Sequence, residues 1–416
     1  MKISSGIGFR SWLFGACLSF VSISAPTAPA ADYAVFDYGD IDEDVSNISF
    51  YKDAGDSQEF LPGESRADEG LEKPRNVILM IGDGMGFGQV QLARAMAGGA
   101  GSRLFMEQLP FTGIMRTHAA SAYVTDSAAS GTAMACGVKT DNGVIGMNNQ
   151  GQSYLSVLEL AESRGKRSGL VTSARISHAT PAVFAAHVEN RKQEGRIASQ
   201  LIEGEIEVLL GGGRKHWLPE QREDGRDLID AARGKGYAVA TSREEFEELK
   251  GGRIIGLFQD GHLKTFAPEP SIVEMTRKAI ETLDREEDSD GEGFFLMVEG
   301  AQIDFACHAH NVDNTVKQTL LFDLAVRDAV SFAKRDGQTL VVVTADHETG
   351  GLVIFGGSLD EGPEATWSSR GHSAMDVPVY AYGPGALRFT GVMDNTELAK
   401  DLAEALSIED FPKRRQ

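Results

Sequence analysis

Acidic and histidine side chains directly follow three apolar segments of the sequence. The segments are residues 76–81, 294–298 and 340–344, and the side chains that follow them are Asp83, Glu299, Asp346 and His347. Continuous apolar runs of this length are typical of strands buried in a parallel sheet. Ligands bind beyond the carboxyl ends of such strands. One aspartate after a strand is usually a turn former or a helix cap, but three such coincidences indicate a functional site.

Three more residues extend this candidate site toward metal binding. Asp304 and His308 are four residues apart, directly after Glu299 and Gly300, so in a helix both would face one side at metal-ligand spacing. His372 lies in a polar loop with no apolar face to pack against. Carboxylates mixed with imidazoles suit zinc and magnesium better than copper or iron–sulfur clusters. The pattern therefore favours zinc or magnesium.

Ser127 is the candidate nucleophile. Asp126 could cap a helix that begins near Ser127, and the first N–H groups of that helix would point at an anion. An ordinary capped helix start explains the same pattern. The sequence has no Gly-x-Ser-x-Gly elbow, and no Gly-Lys-Ser/Thr phosphate loop follows Gly86. A hydroxyl at this position would therefore need a metal ion to activate it.

The elements that must position these residues are short apolar strands that alternate with amphipathic helices. In the segment from Ser271 to Leu283, Ser271 and Glu274 make a capping box, and the apolar residues keep helical spacing. We therefore predict an α/β fold with a largely parallel central sheet and helices on both faces. No repeat or linker divides residues 74–416.

The composition limits the partners of the chain. Its 416 residues include 40 basic and 61 acidic residues, a formal net charge of −21. This charge disfavours nucleic acid and anionic membrane surfaces as partners, because an acidic chain releases no counterions from them. It also opposes an anionic substrate unless a local group of cations reverses the field.

The sequence divides into three segments. Residues 1–30 have a basic start, an apolar stretch and the small-residue ending Ala28-Pro29-Ala30, which predicts a secretory signal peptide and a periplasmic or secreted protein. Residues 31–72 are predicted to be an exposed acidic arm, and residues 73–416 the catalytic domain. No run of roughly 18 apolar residues predicts a membrane span.

The cysteines do not form a disulfide framework. Cys17 leaves with the predicted signal peptide, so only Cys136 and Cys307 remain. One bridge between them is an open alternative, and two buried thiols that pack as small hydrophobic groups are favoured.

Several motifs occur in the order seen in alkaline phosphatases, and from about Lys73 to Leu406 the chain resembles that family. The motifs are Gly82-Asp83-Gly84-Met85-Gly86, Thr125-Asp126-Ser127-Ala128, the stretch from Thr180 to Arg191, residues 299–304 with His308, residues 344–351, and Gly371-His372. So many ordered motifs make the resemblance specific. It implies an alkaline-phosphatase-like fold, here without a large crown insertion.

The resemblance implies a phosphomonoesterase with two Zn²⁺ and one Mg²⁺. One zinc would be held by Asp304, His308 and His372, and the second by Asp83, Asp346 and His347. Magnesium would be held by Glu299, Thr180 and Asp83, with His178 also in the site. Arg191 would bind the phosphate, and Asp126 would orient Arg191. Ser127 would attack phosphorus and form a phosphoserine, with the zinc ions stabilising the entering and leaving oxygens.

Two positions depart from the best-known bacterial pattern, and one segment is shorter than in some relatives. His178 stands where an aspartate often precedes the magnesium threonine, which predicts weaker magnesium retention. Phe305 stands where relatives often carry Lys, His or Trp, and it cannot donate a hydrogen bond, which predicts looser phosphate binding. Only about twenty residues separate Leu352 from His372, which predicts an open site with broad substrate choice. Homodimers are common in the family, but the sequence identifies no interface.

Two alternative functions stay open. A phosphodiesterase of the same superfamily could use the metals and Ser127, although Arg191 favours a monoester with more terminal oxygens. An exported phosphate-binding protein without catalysis would lack a ligand or the nucleophile, and none is missing. A sulfatase is excluded, because Ser127 is not followed by x-Pro-x-Arg. The positive charge of three divalent ions and Arg191 would exceed the negative charge of the four carboxylates of the site. The site would therefore attract a phosphate dianion despite the acidic chain.

Overall fold

A computed structural model of the chain describes residues 49–52, 72–265, 268–284 and 291–415. These residues all fall within one compact unit, Glu43–Gln416. The predicted signal peptide and most of the predicted acidic arm lie outside the described residues. Within the described ranges, no helix combines the length and apolar character needed to cross a membrane.

The described residues form helices, strands and short 3-10 turns. The helices are α1 Ser49–Lys52, α2 Phe87–Gly98, α3 Ser127–Cys136, α4 Val157–Glu162, α5 Ala179–Ala182, α6 Glu194–Glu203, α7 Leu228–Gly234, α8 Arg243–Glu248, α9 Ile272–Leu283, α10 Gln302–His308, α11 Val312–Asp336 and α12 Asn395–Ala405. The 3-10 turns are Met106–Gln108, Arg214–His216, Pro219–Gln221 and Ala386–Phe389.

The strands begin with β1 near the start of the described chain. They are β1 Asn76–Gly82, β2 Phe111–Arg116, β3 Tyr154–Leu155, β4 Arg167–Arg175, β5 Val208–Gly212, β6 Ala238–Ala240, β7 Ile254–Leu257, β8 Phe294–Gly300, β9 Thr339–Thr344, β10 Glu348–Thr349, β11 Leu352–Ser358, β12 Gly362–Trp367, β13 His372–Ser373, β14 Val377–Tyr382, β15 Gly391–Asp394 and β16 Lys413–Arg414.

Ten strands form the central sheet, in the order β15-β2-β14-β9-β1-β8-β4-β5-β7-β6. Strand β14 runs antiparallel to its neighbours β2 and β9, and the other pairs in this sheet are parallel. Every residue of β1, β8 and β9 is buried, so both faces of the sheet are covered at its centre. The predicted fold class, a largely parallel α/β sheet, is confirmed.

The three apolar segments identified in the sequence are neighbouring strands. β1 lies between β8 and β9, with Ile81 level with Glu299 on one side and with Thr344 on the other. The carboxyl ends of the three strands therefore reach the same edge of the sheet. The polar residues that follow them are brought close together by this register.

Local sequence signals also correspond to the observed elements. Helix α9 begins after Ser271, whose side chain accepts a hydrogen bond from the Glu274 amide while Glu274 reaches back to the Ser271 backbone. The predicted capping box is confirmed. Cys136 and Cys307 are both buried and free, so the favoured packed thiols are confirmed.

Helix α1, inside the predicted arm, packs against the catalytic domain. Tyr51 is only 5% exposed, its ring lies 5.7 Å from that of Phe105, and its hydroxyl donates to Asp323 Oδ2 at 2.5 Å. The prediction of an exposed arm is therefore wrong at Tyr51. The sequence gives no sign of this contact, because Asp323 lies in helix α11, 272 residues further along the chain.

Replacing Tyr51 with phenylalanine should destabilise the protein more at neutral than at acidic pH. Burial raises the pKa of Asp323 to about 6. The stability linked to this group is therefore full below its unfolded pKa, about 3.9, and is lost as pH rises through about 6. The Tyr51 hydroxyl stabilises the ionised carboxylate, so losing it should cost about 1–3 kcal/mol of unfolding free energy at pH 7.5 and less at pH 5.

Urea unfolding with metals chelated at both pH values would check this prediction. Tyr237→Phe is the matched control, since the Tyr237 hydroxyl donates to the carbonyl of Ile206, which does not titrate. The control should cost the same at both pH values. An equal cost for Tyr51→Phe at pH 5 and 7.5 would contradict the prediction.

Candidate active site

Ser127 is the first residue of helix α3, as the sequence predicts. Asp126 caps this helix with an extended backbone, and its Oδ1 accepts a hydrogen bond from the Ala129 amide at 2.9 Å. All ten residues of α3 are buried, and Ser127 is only 3% exposed. The unpaired N–H groups of the first turn and the Ser127 hydroxyl therefore share the positive end of a buried helix.

The first ligand group adjoins Ser127. His347 Nε2 lies 3.3 Å from Ser127 Oγ, 3.4 Å from Asp83 Oδ1 and 3.2 Å from Asp346 Oδ2. Asp83, Asp346 and His347 are completely buried. Three electron-rich atoms this close repel one another unless a cation lies between them.

The second ligand group is Asp304, His308 and His372. Helix α10 carries Asp304 and His308 on one side, and Asp304 Oδ1 lies 3.2 Å from His308 Nε2 and 3.5 Å from His372 Nε2. His372 reaches the group because strand β13 pairs with β10, placing His372 level with Thr349. The rings of His347 and His372 stack at 3.6 Å, so the first two groups are adjacent.

Hydrogen bonds at the Nδ1 atoms orient the three histidines. Nδ1 of His372 lies 2.7 Å from the carbonyl oxygen of Thr125, and Nδ1 of His308 contacts the carbonyl oxygen of Arg370. A carbonyl only accepts, so both Nδ1 atoms carry the proton and both Nε2 atoms present a lone pair. Nδ1 of His347 faces the hydroxyl of Thr349, which itself donates to Asp304. This arrangement is typical of metal-ligating histidines.

The third ligand group shares Asp83 with the first. It consists of Asp83, His178 and Glu299. Burial raises the pKa of the Glu299 carboxyl, and the nearby hydroxyls of Thr172 and Thr180 partly oppose this rise. Thr180 itself is fully buried in α5. Hydroxyl and carboxylate oxygens with a single imidazole form a harder donor set than the two neighbouring groups, which suits magnesium.

The pKa values of the buried carboxylates reflect their crowding. Burial, followed by the charges of Asp346 and Asp304, raises the pKa of Asp83 well above its usual range. Burial and Asp304 raise the pKa of Asp346 to about 7. Burial also lowers the pKa of His347 far below its usual range, so this ring is neutral and can act as a ligand. The protein alone therefore holds these carboxylates ionised only at a cost in free energy.

The donor atoms fit divalent cations. Both carboxylate oxygens of Asp83, Oε1 of Glu299 and Oδ2 of Asp346 are buried, and no N–H or hydroxyl group donates to them within the described part of the chain. Buried carboxylate oxygens without donors are rare in native proteins. Cations at the three groups would supply the missing partners.

Arg191 lies beside the ligand groups and is held by two side chains. Its Nη1 donates to Asp126 Oδ2 at 3.0 Å, and its Nη2 lies 3.0 Å from His178 Nε2. The Arg191 amide also donates to the carbonyl of Gly143 at 2.7 Å. The contact between Asp126 and Arg191 agrees with the orientation expected from the sequence. The same aspartate thus caps the serine helix and orients the guanidinium.

Phe305 packs against two histidine rings. Its ring centroid lies 4.6 Å from that of His262 and 6.1 Å from that of His178, both edge to face. Phe305 is buried. It therefore forms an apolar boundary beside the third ligand group. Nothing in the sequence around His262 indicates its contact with Phe305 and His178.

Gly84 allows the chain to turn tightly beneath the ligands. Its φ is +70°, and a Cβ there would meet Thr349 Oγ1 at 2.6 Å and the Asp304 backbone at 3.1 Å. The Gly84 amide donates to Asp346 Oδ1 at 3.2 Å. Only glycine combines this backbone conformation with so close an approach.

The structure brings all the predicted site residues together and adds two threonines. Thr349 links the first two ligand groups, because its hydroxyl donates to Asp304 and faces Nδ1 of His347. Thr172 on β4 donates to Glu299 Oε2. Thr349 could have been found, because it lies two residues after His347. Thr172 could not, because its position beside Glu299 depends on the pairing of β4 with β8.

Known proteins resemble this chain along most of its length. A family model described as alkaline phosphatase matches residues 74–364 and 359–408. Alkaline phosphatase 4 of Bacillus subtilis (strain 168) is 33% identical over 416 residues, which cover 80% of this chain and 88% of that protein. Streptomycin-6-phosphate phosphatase of Streptomyces griseus is 33% identical over 426 residues, which cover 83% of this chain and 94% of that protein.

A solved structure shares the fold. Alkaline phosphatase from the Antarctic bacterium TAB5 superposes with a TM-score of 0.74 at 32% identity, covering 81% of this chain and 99% of that one. A histidine-to-aspartate variant of the same protein was solved with magnesium bound in a metal site.

Proposed function

The chain belongs to the alkaline phosphatase family, and we propose that it hydrolyses phosphate monoesters to an alcohol and inorganic phosphate through a phosphoserine on Ser127. Relatives in this family support phosphatase activity and metal dependence. The finer proposal is that two zinc ions occupy the groups of Asp304 and Asp346, and that one magnesium ion occupies the group of Glu299.

One observation carries the proposal. Three ligand groups, the hydroxyl of Ser127 at a helix amino terminus and the guanidinium of Arg191 all converge at one edge of the sheet. A phosphate monoester has a dianionic group that each of these can bind. The 3.3 Å contact of Ser127 Oγ with His347 Nε2 supports Ser127 as a nucleophile beside the group that would hold a zinc ion.

The residues of the chain divide the chemistry between them. Arg191, oriented by Asp126, can donate two parallel hydrogen bonds to terminal oxygens of the phosphate. Ser127 Oγ loses its proton to water and bonds to phosphorus while the bond to the leaving oxygen breaks, and that oxygen takes a proton from water to become the alcohol. A water molecule later hydrolyses the phosphoserine to serine and inorganic phosphate. The bound cations would lower the pKa of the serine hydroxyl and neutralise charge on the entering and leaving oxygens.

Hydrolysis of an aryl phosphate monoester should be compared with hydrolysis of the matching diester. We expect the monoester to be preferred, activity to be lost in EDTA, and activity to return when zinc and magnesium are added back. Preference for the diester would support the phosphodiesterase alternative. Metal-dependent phosphate binding without hydrolysis of either ester would indicate a non-catalytic binding protein.

His178→Asp is expected to tighten magnesium binding. A carboxylate attracts the hard Mg²⁺ ion more strongly than a neutral imidazole does. We therefore expect the magnesium dissociation constant to fall about tenfold or more. Titration of zinc-loaded protein with magnesium would measure the change. Equal or weaker magnesium binding in the variant would contradict the role of His178 in this site.

Phe305→Lys is expected to tighten inhibition by inorganic phosphate. An ammonium group at this boundary could donate to a phosphate oxygen, and a hydrogen bond to a charged group contributes about 1.5–3 kcal/mol. We expect the phosphate inhibition constant to fall about tenfold or more, with a lower kcat if product release limits turnover. Phe305→Met, which also lacks a donor, is the control. An unchanged inhibition constant in the lysine variant would contradict the prediction.

We infer export from the predicted signal peptide of residues 1–30. The mature protein should then begin near residue 31 and occur in the periplasm or the medium. Amino-terminal sequencing of protein recovered from those fractions would test the cleavage site. A homodimer stays a prediction from the resemblance, to be tested by light scattering.

A further inference from the structure

We propose that Glu194 is the positioning residue that holds Arg191 in place to bind phosphate. The inference rests on the proposed function, since it assigns a support to the residue that binds the substrate. Glu194 is the first residue of α6, three positions after Arg191. It stood in no motif of the sequence, and it belongs to none of the three ligand groups.

Glu194 gathers donors from three places in the fold. Its two oxygens accept hydrogen bonds from Arg175 Nε at 2.8 and 3.0 Å and from Arg175 Nη2 at 2.7 Å. Ser177 Oγ donates to Oε2 at 2.7 Å, and His216 Nε2 lies 3.2 Å from the same oxygen. Burial would raise the pKa of Glu194, but the bonds from His216 and Arg175 outweigh it and hold the pKa well below its usual range.

These contacts join the end of strand β4 and the turn after it to the first residue of helix α6, on either side of Arg191 in the sequence. Arg175 ends strand β4, and Ser177 directly precedes His178, which contacts Arg191 Nη2. Glu194 therefore ties the turn that carries His178 to the start of the helix that follows Arg191. The opposite side of Arg191 is already held by Asp126. With both sides held, the guanidinium loses little conformational freedom on binding phosphate.

Glu194 also neutralises a buried positive charge. The side chain of Arg175 is only 15% exposed and that of Glu194 12%. Nη1 of Arg175 contacts His262, whose ring packs on both Phe305 and His178. Without the carboxylate, the unpaired Arg175 would have to move toward water and take His262 and His178 with it. The consequence would reach Arg191 through its contact with His178, whereas the two proposed zinc groups contain neither His178 nor His262.

Phosphate binding to metal-loaded protein, measured by calorimetry, tests the inference without relying on turnover. Glu194→Gln keeps the side-chain volume and removes the charge, and we expect it to weaken phosphate binding about tenfold, the effect of one lost hydrogen bond to a charged group. In an Arg191→Ala background the same substitution should change binding less than about twofold, because residues that act through one another are not additive.

Glu189→Gln is the matched control. Glu189 lies on the same loop, two residues before Arg191, and pairs with Arg196 at an exposed position. It should leave phosphate affinity unchanged in either background. Both the Glu194 and the Glu189 variants should retain three metal ions per chain. Any loss of phosphate affinity can then be distinguished from a loss of metal. If Glu194→Gln does not fold, Ser177→Ala can be used instead, because it removes one donor to Glu194. Its effect on phosphate affinity would again be compared in the wild-type and Arg191→Ala backgrounds.

The outcomes separate the inference from the proposed function. If Arg191→Ala does not alter phosphate binding, the proposed function is contradicted at its substrate-binding residue. If Arg191→Ala weakens binding and Glu194→Gln weakens it equally in both backgrounds, or not at all, Glu194 does not act through Arg191 and only this inference is overturned.

Discussion

Ser127→Ala is expected to lose hydrolysis of an aryl phosphate monoester by about three to six orders of magnitude in kcat, the range seen when a covalent nucleophile is removed. The alanine has no oxygen that can bond to phosphorus. The described contacts of Ser127 Oγ amount to one neighbour, His347, so the fold and the ligand groups should be unaffected. Acid quenching with labelled phosphate should also trap a phosphoprotein in the wild type and none in the variant.

Ser130→Ala is the control for this prediction. Ser130 lies one turn further along α3, and its hydroxyl donates to the backbone carbonyl of Asp346 at 2.6 Å. Its loss should cost about 1 kcal/mol of stability but leave the labelled phosphoprotein in place. A Ser127→Ala variant that keeps its kcat, or that still traps labelled phosphate, would exclude the phosphoserine route.

Asp83→Asn is expected to remove two metal ions at once. Asp83 belongs to both the group of Asp346 and the group of Glu299, whereas Asp304 belongs to one. We expect elemental analysis after gel filtration to find about one ion per chain in Asp83→Asn and about two in Asp304→Asn, since a neutral amide is a weaker ligand. Each ion contributes several kcal/mol to the transition state, so activity should fall about 10⁴-fold or more.

Asp83→Asn should stabilise the metal-free protein, although it weakens metal binding. Burial, followed by the charges of Asp346, Asp304 and Glu299, raises the pKa of Asp83 and so opposes its ionisation. A neutral side chain removes this repulsion, so the chelated Asp83→Asn protein should unfold at a higher temperature than the chelated wild type. Loss of a single ion, or a lower unfolding temperature without metals, would contradict the shared position of Asp83.

Features that depend on a few consecutive residues could be predicted from the sequence. Strands β1, β8 and β9 could be predicted because each is a continuous apolar run in the sequence, and the polar residues of the site come directly after these runs. The Asp126 cap on α3 and the capping box at Ser271 each join residues only three positions apart. The ligand positions could be predicted for this reason, because each lies next to such a local signal.

Features that depend on register between distant strands could not be predicted. Thr172 lies beside Glu299 because of the register in which β4 pairs with β8. Nothing in the sequence near Thr172 specifies this register. The contact of Tyr51 with Asp323 and the cluster around Glu194 are of the same kind. Each joins polar groups whose burial becomes apparent only when the sheet is assembled.

The order of strands in the sheet has a consequence for how the protein folds. Strand β1 is made early, yet it pairs with strands from the other half of the chain, and the bond between Asn76 and Phe294 spans 218 residues. Closing so long a loop costs entropy before the contacts are gained, so folding should be slow. Until His372 has been synthesised and β13 has formed, the nascent chain holds an incomplete set of ligands. The group of Asp304, His308 and His372 is therefore the last of the three ligand groups to be completed during synthesis, and a chain stopped before His372 lacks it.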